Sequence, residues 1–170
     1  LNLNSDTFVT TLSMSCSGYP YALFIINSLF NSTKYKSAII VTSETYSKYI
    51  DKNDQSTNLI FSDGASASLI LKKNNENLIS YDFGHDGNNY DKISLNNILI
   101  ESDPLKKPTL KMKGNDVFQF TINKIPKSIK KITKSVGLEN ANLFFLHQAS
   151  KIVINNIIDK LNIDEKRVPN

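Results

Sequence analysis

One thiol and one imidazole occupy similar places in the sequence, each between a strand-like run and a helix-like run. Cys16 is the only cysteine, and it follows the β-branched and apolar residues 7–12. His147 follows the apolar residues 143–146 and precedes residues 151–161, in which isoleucine and leucine recur at helical spacing. A cysteine and a histidine at two matched strand-to-helix junctions are a candidate catalytic pair.

The start of a helix would favour the reactive form of each side chain. Free N–H groups and the positive end of the helix dipole stabilise a thiolate, which is the nucleophilic form of cysteine. The same positive end disfavours an imidazolium, so His147 is expected as a neutral ring that can donate one N–H to a developing oxyanion. Each residue also has a structural alternative, because lone cysteines are often buried and lone histidines are often part of the core.

The composition argues against several classes of protein. The 170 residues are 40% hydrophobic and 21% charged, which is enough apolar sequence for a globular core. We predict no membrane span, because the densest apolar stretch, residues 21–30, is too short and contains Asn27 and Ser28. We predict no metal, because no Cys, His and carboxylate cluster has ligand spacing. One cysteine and no visible signal peptide predict a cytoplasmic protein.

The net charge of +4 comes from lysines that are scattered along the chain. The sequence contains no recognised nucleic-acid module and no interleaving of basic and aromatic residues, so we predict no nucleic-acid partner. Most of these lysines are interpreted as solvated. Some could meet an acidic protein partner, because a positive surface speeds association with a negative one.

Strand-like and helix-like runs alternate along the chain, which indicates an α/β layered architecture. The polar residues 72–77 form the most linker-like segment, and we place a boundary between two similar halves there. Residues 1–75 carry the candidate nucleophile, and residues 76–170 carry the candidate catalytic histidine.

Two segments carry local structural predictions. The continuous apolar run at residues 37–42 indicates a buried parallel strand. The helical stretch that starts at Met112 contains Pro126. Because proline lacks an N–H and its ring clashes with the preceding turn, Pro126 predicts a kink or a break into two helices.

Four motifs together resemble the β-ketoacyl-acyl carrier protein synthase III family, the condensing enzymes that start type II fatty acid synthesis. They are SCSGYPYAL around Cys16, LIFSDGASASLIL at residues 59–71, KMKGNDVFQF at residues 111–120 and FLHQAS around His147. The motifs follow the family's order, and the separation of Cys16 from His147 suits it. The resemblance implies a thiolase-like αβαβα fold with two pseudo-duplicated halves, incomplete at both ends of this chain.

The resemblance also implies a reaction. Cys16 would take an acyl primer from acyl-CoA as a thioester, and malonyl-acyl carrier protein would then condense with it in a decarboxylative Claisen reaction. His147 would assist the condensation together with an asparagine whose motif lies beyond Asn170. The residues present here are therefore expected to show no normal turnover alone. No cofactor is implied.

Four further residues match family positions that bind the substrate. Phe61 and Phe118 match residues that line the acyl and pantetheine channel, and their alternative role is that of ordinary core aromatics. Gly114 would let the backbone approach the ligand or make a tight start to a helix. Ser150 replaces the usual asparagine after His-Gln-Ala, at a position that contacts the pantetheine.

The resemblance implies protein partners as well. Lys151 and Lys160 lie where the family presents basic residues to the acidic acyl carrier protein, and Lys160 could equally complement the helix dipole. A homodimer is expected. Two alternatives remain: a specialised synthase III paralogue of a secondary pathway, and a non-catalytic thiolase-like subunit that binds a carrier protein. Retention of both Cys16 and His147 argues against the second.

Overall fold

The computed structural model describes residues 4–73, 80–96 and 107–169. These residues form four helices and four strands, together with short 3-10 turns. In chain order they are α1 (Gly18–Ser32), β1 (Ser37–Glu44), α2 (Gln55–Asn58), β2 (Gly64–Leu71), β3 (Ile93–Asn96), β4 (Thr109–Met112), α3 (Gly114–Ile132) and α4 (Lys151–Leu161).

The chain divides into two compact units. The first comprises Leu1–Thr42 and Ala65–Leu78, and the second comprises Ser43–Gly64 and Ile79–Asn170. The predicted boundary between two similar halves, at residues 75 and 76, lies outside the described residues. The division into pseudo-duplicated halves therefore stays a prediction.

The first unit is built on the pairing of β1 with β2. The N–H of Lys72 donates to the carbonyl of Lys36 (2.8 Å), and the hydroxyls of Thr42 and Ser66 lie 2.8 Å apart. These two contacts mean that the strands run antiparallel. Among the β1 side chains only Ile40 is buried. The pairing found among the described residues is antiparallel, so the predicted parallel pairing is not found there, and most β1 side chains are exposed within this chain.

Helix α1 is joined to β2 and the residue after it by two side-chain hydrogen bonds. The Tyr19 hydroxyl donates to Ser68 Oγ (3.2 Å), and the Lys72 ammonium donates to the carbonyl of Phe30 near the end of the helix. Both ends of α1 are thus attached to the same stretch of chain. This attachment holds in place the helix that follows Cys16.

In the second unit, β3 and β4 form an antiparallel pair in which Ile93 lies opposite Met112 and Asn96 lies opposite Thr109. The core of this unit lies mainly between α3, α4 and the residues that follow α4. The predicted apolar face of α4 is confirmed, since Ile154, Ile157 and Leu161 are buried and the partly buried Ile158 packs against them. The buried cluster consists of Ile129, Phe144, Ile154, Ile157, Leu161, Ile163 and Val168.

Helix α3 continues through Pro126 as one helix. Proline has no N–H to donate, so the carbonyl of Ile122, four residues earlier, loses its intrahelical partner. The ammonium of Lys160 on α4 donates to this carbonyl (2.9 Å). The predicted break into two helices is wrong, and a hydrogen bond from a neighbouring helix replaces the one that proline removes.

Paired aspartates in the second unit make its stability depend on pH. A hydrogen bond from Lys113 is the main cause that lowers the pKa of Asp91, and one from Ser56, followed by one from Lys111, lowers the pKa of Asp54. A carboxylate whose folded pKa is depressed stabilises the fold above its unfolded pKa, and loses that contribution as pH falls through the folded value.

We therefore expect the midpoint of thermal unfolding to fall as the pH is lowered below about 4. Asp91→Asn should make this dependence shallower. Asp159→Asn, on the exposed side of α4, is the matched control and should leave it unchanged. Equal slopes for the wild type and Asp91→Asn would contradict the assignment.

Candidate active site

The segment before α1 presents Cys16 at the surface. Cys16 is the middle residue of a 3-10 turn, Ser15–Ser17, which runs directly into α1 at Gly18, and its side chain is exposed. The hydroxyl of Ser17 donates to the carbonyl of Met14 (2.8 Å) and closes the turn. The predicted location at the start of a helix is confirmed, and within this chain the Cys16 side chain is not buried.

The residue before Cys16 has an unusual backbone conformation. Ser15 has a φ of 46°, in the left-handed region that residues other than glycine rarely occupy. This conformation costs about 1–2 kcal/mol for an L-residue, and such strain is concentrated at functional sites. The residues around this turn, rather than the intrinsic backbone preference of Ser15, therefore stabilise the conformation that exposes Cys16.

His147 lies farther from its helix than the sequence predicts. Helix α4 begins at Lys151, and the carbonyl of Ser150 accepts the N–H of Ile154 (3.1 Å). Because a helix dipole acts mainly within the first turn, it gives little reason for a neutral imidazole four residues earlier. The prediction that His147 starts the helix is wrong. Residues 148 and 149 form a turn instead, and the His147 side chain is exposed.

Neither apolar run that precedes the two candidate residues forms a strand. Residues 7–12 and 143–146 are without strand structure among the described residues. A strand is defined by a partner, and the backbone hydrogen bond that holds the second run joins the Phe144 N–H to the Arg167 carbonyl (2.8 Å). Both predicted strands are therefore absent from this structure, although their residues remain apolar.

Arg167 holds the segment that leads to His147, and no motif in the sequence predicted this role. Its guanidinium donates to the carbonyls of Leu138 (2.8 Å) and Ala141, and lies 5.2 Å from the ring centroid of Phe144. Gln148, next to His147, donates to the carbonyl of Pro169 (3.0 Å). A signal was available, since Arg167 is the only arginine in a lysine-rich chain.

The predicted substrate-binding residues all belong to the second unit. Phe61 is half-buried, and its ring centroid lies 5.1 Å from that of Tyr46. Phe118 is half-buried on α3, and Ser150 precedes the first residue of α4. Cys16, in contrast, belongs to the first unit. Its pairing with His147 and the binding roles of these residues stay predictions.

Gly114 has no evident packing reason to be glycine. It is the first residue of α3, and among the described residues positive φ occurs only at Ser15, Gly137 and Asn162. A Cβ added at Gly114 would meet only the Met112 Cε, at an ordinary 3.8 Å. The structure thus gives no support to the alternative that a tight helix start requires glycine at position 114. The remaining interpretation is that glycine there lets the backbone approach a ligand.

Gly114→Ala is accordingly expected to keep or raise the free energy of unfolding, by up to about 1 kcal/mol. It should at the same time weaken the binding of a pantetheine thioester, measured by isothermal titration. Gly84→Ala is a matched control, because a Cβ there has no neighbour within 4 Å. Unchanged thioester affinity in Gly114→Ala would refute the ligand role.

The two predicted carrier-binding lysines have different surroundings. Lys151 is exposed at the start of α4. The ammonium of Lys160 donates to the Ile122 carbonyl and lies 3.4 Å from Asn123 Oδ1. Lys160 therefore has a structural partner on α3, and a role of either lysine in binding a carrier protein stays a prediction.

The described residues contain no group of three or more His, Cys, Asp or Glu side chains that could hold a metal ion. None of their helices combines the length and the apolar character that a membrane crossing requires.

Comparison with known proteins identifies the fold. A model of the family 3-oxoacyl-[acyl-carrier-protein (ACP)] synthase III matches residues 11–87. The crystal structure of 3-oxoacyl-[acyl-carrier-protein] synthase III from Aquifex aeolicus superposes with a TM-score of 0.84 at 25% identity, covering 96% of this chain and 51% of that one. The chain thus has the thiolase-type fold of condensing enzymes.

Curated relatives agree with this class. Beta-ketoacyl-[acyl-carrier-protein] synthase III of Clostridium tetani is 28% identical over 95% of this chain and 53% of its own length. The protein of the same name from Natranaerobius thermophilus is 32% identical over 92% of this chain and 51% of its own length. The chain is similar to β-ketoacyl-[acyl-carrier-protein] synthase III over most of its own length, and it spans about half the length of the curated relatives it matches.

Proposed function

We propose that the protein containing this chain condenses an acyl primer with malonyl-acyl carrier protein to start fatty acid synthesis. The observation that carries the proposal is the exposed Cys16 in the turn that opens α1, within the residues matched by the family model. A thiol beside the start of a helix is placed to act as the nucleophile toward a thioester.

The environment of Cys16 supports a nucleophilic role. The first N–H groups of a helix lack intrahelical partners and attract negative charge. Ser17, the residue before α1, makes no side-chain cap, because its hydroxyl is directed to the carbonyl of Met14. The amides at the start of α1 thus have no capping side chain from Ser17 and can favour the thiolate of Cys16.

The reaction would proceed in two balanced steps. The Cys16 thiolate attacks the carbonyl carbon of acyl-CoA, the bond between that carbon and the CoA sulfur breaks, and CoA leaves as a thiolate that takes up a proton. Malonyl-carrier protein then loses CO2, and the resulting carbanion forms a carbon–carbon bond with the acyl group while Cys16 Sγ departs as thiolate.

Hydrogen-bond donors would stabilise the charge that develops in both steps. The backbone N–H of Cys16 would donate to the oxyanion of the acyl intermediate, and the ring N–H of His147 would donate to the thioester carbonyl of the malonyl group. An asparagine outside this sequence would complete the site. The channel would be lined by Phe61, Phe118, Gly114 and Ser150.

The same proposal includes the substrates, the cofactor requirement, the location and the oligomeric state of the protein. Acyl-CoA and the acyl carrier protein would be its substrates, no cofactor would be needed, and the active form would be a cytoplasmic homodimer. Lys151 would contribute to carrier binding at the start of α4, where its side chain is exposed.

Intact mass spectrometry tests the proposal. The longest native polypeptide that contains this chain is incubated with acetyl-CoA, branched acyl-CoAs and longer acyl-CoAs. We expect one acyl group to be added to the wild type, none to Cys16→Ser, and the adduct to disappear when malonyl-acyl carrier protein is supplied. Absence of an adduct across the whole panel would refute the enzyme and support a non-catalytic subunit.

A further inference from the structure

His147 lies between two attachments to one short segment of chain, residues 167–169. The N–H of Phe144, three residues before His147, donates to the carbonyl at the start of this segment, that of Arg167 (2.8 Å). The side-chain amide of Gln148, the residue after His147, donates to the carbonyl at the other end of the segment (3.0 Å). We call residues 167–169 the brace, because the loop that carries His147 is fastened to them on both sides.

The guanidinium of Arg167 adds a third attachment, earlier in the same loop. Its Nη2 donates to the carbonyls of Leu138 (2.8 Å) and Ala141 and lies 3.2 Å from the carbonyl of Glu139. The guanidinium also lies over the ring of Phe144, 5.2 Å from its centroid. A planar cation suits this place, because it can donate to carbonyls in its own plane while its face contacts an aromatic ring. One side chain thus contacts the loop at both ends of the stretch from Leu138 to Phe144.

The brace is itself fixed to the rest of the second unit. It follows from the 3-10 turn Glu165–Arg167, which the carboxylate of Asp164 caps by accepting the N–H of Lys166 (3.0 Å). Val168, in the middle of the brace, is 3% exposed and belongs to the buried cluster of this unit. A capped turn and a buried side chain keep the brace in one place, so it can hold the exposed loop in one place as well.

The loop needs such support, because no regular element positions the imidazole. Residues 143–146 form no strand among the described residues, and His147 lies four residues before the start of α4. The attachments to the brace on both sides of His147 therefore contribute directly to where its ring lies.

We propose that Arg167 is a positioning residue for His147, an inference that rests on the proposed function. Arg167 contacts no reacting atom; it holds the loop so that the ring N–H of His147 meets the thioester carbonyl of the malonyl group. A displacement of about 1 Å at a reacting group can slow a reaction about 10²-fold. Loss of the guanidinium should slow condensation selectively, because the groups that Arg167 contacts belong to the second unit and Cys16 belongs to the first.

Separate measurement of the two half-reactions tests Arg167 in the longest native polypeptide that contains this chain. Intact mass gives the rate of Cys16 acylation by acyl-CoA, and the release of condensed product on addition of malonyl-acyl carrier protein gives kcat and KM. The variants are Arg167→Met and Arg167→Lys. Lys166→Met is the matched control, because it removes the same charge from the adjacent, exposed residue of the same turn.

We expect Arg167→Met to lower kcat for condensation at least about tenfold, and to change the KM for malonyl-acyl carrier protein and the acylation rate less than about twofold. Arg167→Lys should recover part of the loss, because an ammonium keeps the charge but lacks the planar fork. Lys166→Met should match the wild type. Equal losses of acylation and condensation in Arg167→Met would overturn the proposal, since they would mean a general loss of folded protein.

A double-mutant cycle tests whether Arg167 acts through the imidazole. Once His147 is replaced by alanine, Arg167→Met should slow condensation no further, because no ring is left to position. Slowing by the same factor as in the wild-type background would overturn the proposal.

Amide hydrogen exchange gives a readout that does not depend on activity. Exchange of residues 141–148 should be faster in Arg167→Met than in the wild type, and unchanged in Lys166→Met. Unchanged exchange in Arg167→Met would show that the guanidinium does not hold the loop, and would overturn the proposal.

A second variant keeps the test decisive if thermal unfolding shows that Arg167→Met is not folded. Gln148→Leu removes the other attachment to the brace at an exposed position, and should show the same selective loss of condensation. Absence of acylation in the wild type would refute the proposed function. Normal acylation and condensation in the wild type, with rates that do not depend on Arg167 or Gln148, would refute the positioning role alone.

Discussion

Replacing His147 by alanine is expected to slow condensation about 10²–10³-fold, which is the usual effect of removing one oxyanion donor. Acyl transfer from acyl-CoA to Cys16 should be impaired much less, since the proposed role of the ring is to polarise the malonyl thioester. The His147 side chain is exposed, and the adjacent Gln148 fastens its loop to the carbonyl of Pro169. Substitution should therefore alter chemistry more than folding.

The two half-reactions are measured separately in the longest native polypeptide that contains this chain. Intact mass gives the rate of Cys16 acylation, and the release of the condensed product on addition of malonyl-acyl carrier protein gives the second step. His85→Ala is the matched control, because His85 is the other histidine and is also exposed. Equal loss of both half-reactions in His147→Ala would contradict the assigned role.

Replacing Lys160 by methionine is expected to lower the free energy of unfolding by about 1–2 kcal/mol, as the loss of a partly exposed hydrogen bond from a charged group would. The substitution leaves the carbonyl of Ile122 without a donor, because Pro126 cannot supply one. Ile122 is buried, so water is a poor substitute. Chemical denaturation monitored by circular dichroism measures the change.

A double-mutant cycle identifies the cause of this loss. Pro126→Ala restores an N–H that can bond to the Ile122 carbonyl, so Lys160→Met should cost less in that background than in the wild type. Lys151→Met, at the exposed start of the same helix, is the control and should change stability little. Strict additivity of the two substitutions would show that the ammonium does not replace the missing donor.

The same variant distinguishes the structural role of Lys160 from the role that the family resemblance implies. A loss of stability with unchanged carrier affinity supports the contact with α3. A loss of carrier affinity without a loss of stability would instead support docking. Because the ammonium already has two acceptors on α3, we expect the first result.

Local sequence patterns predicted the structure correctly where an element depends only on residues that are close to one another in sequence. The spacing of Ile154, Ile157 and Leu161 predicted the buried face of α4, and the small residues around Cys16 predicted the start of a helix there. Helical periodicity depends on side chains that are close in sequence, so it can be recognised without knowing what the helix packs against.

Predictions failed where the outcome depends on a partner distant in sequence. Residues 7–12 and 143–146 have the composition of strands but pair with no strand among the described residues of this chain, and a strand needs a neighbour with which to pair. Pro126 has the local signal of a helix break, but Lys160 supplies the missing donor from another helix. Arg167 belongs to no recognised motif, and its guanidinium binds a carbonyl nearly thirty residues earlier in the sequence.

Residue types and motif order were enough to predict the α/β class and the similarity to β-ketoacyl-acyl carrier protein synthase III, and they supplied Cys16 and His147 as a candidate pair for thioester chemistry. Only the folded chain shows that Cys16 is exposed, that α4 starts after His147, and that α3 continues through its proline. The physical reason is that residue types and short-range spacing specify chemistry and periodicity, whereas exposure, helix ends and hydrogen-bond replacement depend on which distant groups the fold brings together.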